Sequence, residues 1–202
     1  MEKIILEKQG RILIPKKIRD KLTVKAKKNN YRARSVYKLF ELNKKYNIIK
    51  KNDKVLDLGC YPGSWLQAVK TFGASAIGVD KKEIAPIEDV KFILGNIYDE
   101  KTIKEIIRFG DYDVVISDLA PSTTGIIDVD QEKSFILTKR ALEIAREVLK
   151  ENGNFLCKVF QSERINELVN EMKKQFRFVK VNKPSASKKR SKEVYIVALG
   201  FK

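Results

Sequence analysis

From Val55 onward, short apolar runs alternate with longer stretches whose apolar residues recur at helical spacing, and this alternation leaves few folds open. Val55 to Leu58, Ser75 to Val79, Val90 to Leu94, Val114 to Ser117 and Phe155 to Phe160 read as strands. Their apolar runs serve both faces, the mark of a parallel sheet covered by helices. A helix is expected from about Pro62 to Thr71, proline being well placed in a first turn. Leu137, Ala141, Ile144 and Val148 mark another, stopped by Asn152-Gly153, and Ile165, Leu168, Val169 and Met172 a third. Phe176 to Val181 and Glu193 to Leu199 are two strands with only a basic loop between them, which suits an antiparallel return better than a crossover. Upstream, Val36, Leu39, Leu42, Tyr46 and Ile49 mark a helix packing onto the core. The architecture this predicts is α/β, a doubly wound, mostly parallel sheet with one antiparallel strand.

The 202 residues make about one domain, expected at 31–202 behind a basic extension at 1–30. Forty-two Lys and Arg against 26 Asp and Glu leave a net charge of +16, which points to a polyanionic partner. The excess is confined to the ends. Residues 1–54 hold 18 basic and 5 acidic groups, and residues 173–192 hold nine basic groups and no acid. If both segments meet on one face they form a groove for a phosphate backbone, with Arg32, Arg34, Lys188, Lys189 and Arg190 as expected contacts and binding that weakens steeply with salt. Gly10 to Arg19 is similar to the strand-to-helix signature of AbrB-like swapped-hairpin DNA-binding domains; that fold needs more chain, so a short hairpin extending the basic face is the preferred reading.

There is no histidine, which excludes His-based triads and His-metal sites, and Cys60 and Cys157 lie in no metal-like spacing. No metal and no disulfide are expected; both cysteines read as packing residues in a reducing compartment. No apolar run approaches the roughly 18 residues of a membrane span. A cytoplasmic monomer is the expectation.

The clearest loop is Asp57 to Trp65, where a strand turns into a helix. Gly59 and Gly63 permit tight turning and close approach of a ligand. The Gly-x-Gly-x-x-Gly spacing of dinucleotide folds and the Gly-Lys-Ser/Thr end of a phosphate loop are both absent. An acid at the start and no anion-holding lysine suit a cationic ligand with an amino acid tail. Asp80, ending the second strand, can accept both hydroxyls of a ribose, and Asn96, after the third, can hydrogen-bond an adenine edge. S-adenosylmethionine satisfies all three contacts; the alternative is a plain strand-to-helix turn with two turn residues.

Asp118 follows the fourth strand at its carboxyl end, Lys158 sits within the apolar run Phe155 to Phe160, and Glu193 opens the final strand. A lysine in a buried strand is rare unless paired or functional. All three should converge on the cofactor crevice. Methyl transfer to a weak nucleophile such as a ribose hydroxyl needs orientation and removal of a proton. Lys158 is the candidate base if burial and a neighbouring cation, for which Lys38 is the candidate, lower its pKa. Asp118 and Glu193 would hold the lysines in register. The alternative is a carboxylate-lysine network that only stabilises the sheet edge.

Tyr31 to Lys38, Leu56 to Trp65, Ser117 to Pro121, Lys158 to Gln161, and Lys183 to Ser187 with Ser191 to Tyr195 together resemble the FtsJ/RrmJ family of RNA ribose 2′-O-methyltransferases over residues 20–202. The resemblance implies a Rossmann-like methyltransferase fold with a seven-stranded sheet and helices on both faces, and S-adenosylmethionine as donor. It implies a catalytic tetrad on Lys38, Asp118, Lys158 and Glu193, with Lys158 the base. Cofactor contacts would fall on Gly59, Gly63, Trp65, Asp80, Asn96 and Asp118. Asn96 departs from the Asp that many members carry, and the family does not explain the N-terminal extension. The substrate implied is RNA, large-subunit ribosomal RNA or a ribosomal particle first. A transfer RNA or messenger-cap enzyme is the alternative within the family, and a non-catalytic RNA-binding module the alternative outside it.

Overall fold

The computed structural model describes residues 21–187 and 191–202; the Gly10 to Arg19 motif and the basic residues Lys188, Lys189 and Arg190 lie outside the described residues. In chain order the elements are α1 (Lys21–Lys28), α2 (Val36–Tyr46), β1 (Lys54–Leu58), α3 (Ser64–Thr71), β2 (Ser75–Asp80), β3 (Val90–Leu94), α4 (Glu100–Arg108), β4 (Tyr112–Ser117), α5 (Ile127–Val148), β5 (Leu149–Phe160), α6 (Ile165–Gln175), β6 (Phe176–Asn182) and β7 (Glu193–Phe201). The seven strands form one sheet in the order β3-β2-β1-β4-β5-β7-β6. Only β7 runs against its neighbours, pairing antiparallel with both β5 and β6. The order reverses at β1, and there the carboxyl ends of β1 and β4 open a crevice.

Strand alternation sorts the side chains onto two cores. Leu56 and Leu58 of β1, Phe155, Cys157 and Val159 of β5, and Val194 and Ile196 of β7 pack with Phe135 and Leu142 of α5 and Leu168 and Met172 of α6. On the opposite face, Val55, Leu156, Tyr195 and Val197 pack with Val36, Leu39 and Leu42 of α2 and Trp65, Leu66 and Val69 of α3. Each such buried aliphatic side chain contributes about 1.5–3 kcal/mol. The same alternation turns Asp57 and Lys158 toward α2 and α3 and sends Cys157 the other way.

Several element ends differ from the sequence reading. Helix α5 stops at Val148, because Leu149 takes an extended conformation, and Asn152-Gly153, read as its stop, lies inside β5, which begins at Leu149 rather than Phe155. Pro62 lies in the turn before α3, its peptide with Tyr61 cis, and the helix begins at Ser64 because Gly63 takes φ 102°. Ile49 lies beyond α2, which stops at Asn47 in the left-handed region, although both Ile48 and Ile49 are buried. The short α1 rests on the domain through buried Ala26, whose carbonyl accepts the Tyr31 N–H at 2.9 Å. No described helix is long and apolar enough to cross a membrane.

Candidate active site

A cleft of about 500 Å³ opens at the carboxyl ends of β1, β2, β3 and β4, lined among others by Gly59, Tyr61, Asp80, Asn96, Ile97, Tyr98, Asp118, Leu119 and Pro121. Asp80 is oriented by the backbone: its Oδ2 accepts the Tyr61 N–H at 2.9 Å and its Oδ1 the Lys82 N–H at 2.8 Å. Each oxygen keeps a lone pair, so the carboxylate can still accept two hydroxyls of a diol. Asn96 Oδ1 accepts the Tyr98 N–H at 3.2 Å, which leaves its amide nitrogen to donate.

Beneath the cleft, Asp57 is fully buried, and neither of its carboxylate oxygens has a hydrogen-bond partner among the described residues. Burial, then the negative charges of Asp118 and Asp80, push its pKa well above the ordinary aspartate value. An unpaired carboxyl group in a dry setting is costly. Unpartnered acceptors at Asp57, the Asp80 carboxylate and the Asn96 amide fit S-adenosylmethionine, with its ammonium, ribose diol and adenine.

Gly63 and Trp65 do not line this cleft. A Cβ on Gly63 would sit 2.7 Å from Arg32 Nη1, so the glycine makes room for a side chain of this protein. Trp65 is buried under Tyr195, ring centroids 5.9 Å apart, and its indole N–H donates to Ser35 O at 3.0 Å. Both therefore shape the site from behind. Gly59, at φ 79°, lies against Leu119 and does line the cleft.

Beside the cleft the four charged residues come together as two ion pairs. Lys158 Nζ, on a side chain only 5% exposed, donates to Asp118 O at 2.7 Å and lies 3.1 Å from Asp118 Oδ1. Lys38 Nζ reaches Glu193 Oε2 at 2.7 Å. Burial alone would raise the Glu193 pKa; the Lys38 hydrogen bond and the charges of Lys38 and Lys158 outweigh it and hold the carboxyl below its ordinary value. Lys38 is thus an ion-paired neighbour of the candidate base, its positive charge balanced by the ionised Glu193 carboxylate.

Tyr195 joins the pairs, and sequence reasoning missed it. Its hydroxyl donates to Asp118 Oδ1 at 2.8 Å while Lys38 Nζ lies 5.6 Å above its ring centre. Burial, then the Asp118 charge, raises its pKa well above the ordinary tyrosine value, so it remains a donor. Tyr195 sits one residue past Val194 in an apolar strand, where an aromatic reads as core; only its hydroxyl would have betrayed it.

The expected nucleic-acid contacts divide. Arg32 spends its guanidinium on the carbonyls of Pro62, Ala85 and Pro86, at 3.1, 2.7 and 2.9 Å, clamping the turn before α3. Arg34 donates to Ala186 O at 2.6 Å, at the root of the basic β6–β7 loop. Burial pushes the thiols of Cys60 and Cys157 up, far from the thiolate a nucleophile needs.

A model of the family described as FtsJ-like methyltransferase matches residues 31–201. The chain is 44% identical over 179 residues to the ribosomal RNA large subunit methyltransferase E of Archaeoglobus fulgidus, covering 88% of this chain and 94% of that one. It is 45% identical over 189 residues to the protein of the same name from Desulforapulum autotrophicum, covering 91% and 93%. Among solved structures, a Plasmodium falciparum protein assigned as a ribosomal RNA methyltransferase superposes with a TM-score of 0.75 at 33% identity, covering 85% of this chain and 98% of that one.

Proposed function

The chain belongs to the FtsJ-like methyltransferase family, and from that premise we propose that it methylates a ribose 2′-hydroxyl of large-subunit ribosomal RNA, with S-adenosylmethionine as donor. It is an RNA methyltransferase. The observation that carries the residue assignment is the placing of the Lys158 amine, nearly dry, on Asp118 at the rim of the cleft.

When bound, S-adenosylmethionine supplies a methyl carbon on a positively charged sulfur. Asp80 would hold the ribose diol and Asn96 the adenine edge, and the unpartnered oxygens of buried Asp57 would accept hydrogen bonds from the ligand's amino acid tail. Lys158 accepts the proton of the substrate 2′-hydroxyl at Nζ, which requires that the ammonium of the ion pair first release its own proton to solvent. The backbone oxygen of Asp118 fixes that amine, and Tyr195 fixes the Asp118 carboxylate that also faces it. Lys38, tied to Glu193 on β7, stands on α2 over the Tyr195 ring and keeps that side of the site in register. DNA lacks the hydroxyl and is excluded by the chemistry itself. Both sheet faces are covered within one chain, which supports action as a monomer, and the free cysteines suit the cytoplasm.

Incubation with methyl-labelled cofactor and either free ribosomal RNA or ribosomal particles, followed by mapping of the label, tests the reading. Label is expected on one ribose of the large-subunit RNA, and Lys158→Ala should lower turnover by about 10²–10⁴ while cofactor binding persists. Label on a base, or on transfer RNA or a cap alone, overturns the substrate assignment. RNA binding without turnover in the native protein would make it a binding module.

A further inference from the structure

The bond between Lys158 and Asp118 exists because β4 leaves the sheet early. The parallel register of β4 and β5 ends with Ser117 opposite Cys157. Two more residues in that register would set Leu119 opposite Val159, with the Leu119 N–H on Lys158 O and the Phe160 N–H on Leu119 O. The chain instead turns away at Asp118, and this turn is what carries the Asp118 carbonyl and carboxylate to Lys158 Nζ. One pair of ladder bonds is thereby withdrawn from β5, at the residue that carries the amine and two residues beyond it. Buried backbone groups do not stay unpaired.

Helix α5 replaces both bonds with side chains. Thr138 Oγ1 donates to Lys158 O at 2.9 Å, and the Phe160 N–H donates to Ser134 Oγ at 2.9 Å. The Thr138 hydroxyl also lies 2.8 Å from Ser134 O, so its one proton is shared. One turn toward the helix start, Asp130 accepts the N–H and hydroxyl of Thr124 and the N–H of Gly125, at 2.7, 2.9 and 3.1 Å. That ties down the far end of the departing segment. Residues 130, 134 and 138 repeat every four positions and so share one helix face, and they are 8%, 1% and 2% exposed. A core-facing stripe of a helix this well buried would ordinarily be apolar.

We propose that Ser134 and Thr138 are positioning residues for Lys158, standing in for the strand that β4 withdraws so that Asp118 can face the amine. Two hydroxyls keep the end of β5 in sheet geometry after its neighbour has left, and the lysine therefore emerges at a fixed height and direction. This inference rests on the reading of Lys158 as the base.

The test compares Thr138→Val, which keeps the shape and loses the donor, with Thr138→Ser, which keeps the donor, and adds Ser134→Ala. Single-turnover methylation of the RNA substrate is measured alongside cofactor affinity by calorimetry. Thr138→Val and Ser134→Ala are expected to slow the chemical step about 10- to 100-fold, as small misplacements of a reacting group do, with cofactor affinity held within about twofold. Thr138→Ser should recover the rate to within about threefold of the native protein. Unchanged rates overturn the proposal. So does a fall in cofactor affinity in step with the rate, failure of both variants to fold, or a Thr138→Ser variant as slow as Thr138→Val, since each marks a merely structural role. Lys158→Ala measured beside them separates the failures. Native turnover there removes the base, whereas lost turnover there with native rates in the hydroxyl variants removes only this inference.

Discussion

Asp57 sits in β1 with both carboxylate oxygens buried and unpartnered among the described residues. Its folded pKa is raised well above 3.8, first by burial and then by Asp118 and Asp80. A raised carboxyl stabilises the fold when protonated, so its contribution is full below the unfolded value and is lost as pH rises through the folded one. Asp57→Asn should therefore raise the melting temperature of the free protein at pH 8, by about 2–4 °C for each kcal/mol relieved, and flatten its pH dependence. It should also weaken S-adenosylmethionine binding. Calorimetric melts across pH, with and without cofactor, check both. Lys158 and Asp118 were legible in the sequence because a lysine in an apolar strand and an acid at a strand end are each unusual. Tyr195 was not, since its partner Asp118 lies 77 residues away and its own surroundings are apolar. Arg32 shows the converse: an arginine among basic residues looks solvent-facing, and nothing local reveals the three carbonyls that its guanidinium also meets.

At the scale of elements, α2 matters more than its apolar stripe suggests. Its outer side meets the β6–β7 connection: the Glu41 carboxylate accepts the Ser185 N–H at 2.8 Å, the Ser185 hydroxyl at 2.7 Å and the Ala186 N–H at 3.2 Å, while Lys45 and Tyr46 both donate to Asn182 Oδ1. Burial would raise the Glu41 pKa, but the bonds from Ser185 and Ala186 and the charge of Lys45 bring it below its ordinary 4.5. A lowered carboxyl contributes above its unfolded value and loses that contribution as pH falls through the folded one, so the clasp is in force at neutral pH. Glu41→Ala should loosen the root of the basic loop and raise the Kd for RNA about tenfold, the equivalent of one charge-assisted hydrogen bond, with cofactor affinity unchanged. Filter binding at fixed salt measures it. Periodicity found α2, α3, α5 and α6 in the right places and missed the end of α2, the start of α3 and the end of α5, which the backbone conformations of Asn47, Gly63 and Leu149 set. Helix α4, Glu100–Arg108, buries Thr102 and Ile106 and packs Ile103 against the same core, an amphipathic face only about two turns long.

For the molecule as a whole, the net +16 charge governs how RNA arrives. Log Kd for RNA should rise linearly with log salt, and replacing exposed Lys27 and Lys28 of α1 by Gln should flatten the slope by about 0.7–0.9 for each phosphate that the protein then leaves unneutralised. Cofactor binding, inside the cleft, should barely respond. A titration in rising potassium chloride separates the two. The doubly wound sheet, its single reversed strand and the identity of the four charged residues were set by the sequence itself, since hydrophobic period and strand length are local properties that survive any rearrangement of the chain in space. What only tertiary structure decided is which of those groups meet. Lys38 faces Glu193 across 155 residues and Lys158 faces Asp118 across 40, and Trp65 and Arg32 donate to backbone carbonyls of distant segments. Such meetings depend on where strands part and how helices lie across them, and a contact between distant segments leaves no period in the chain that makes it.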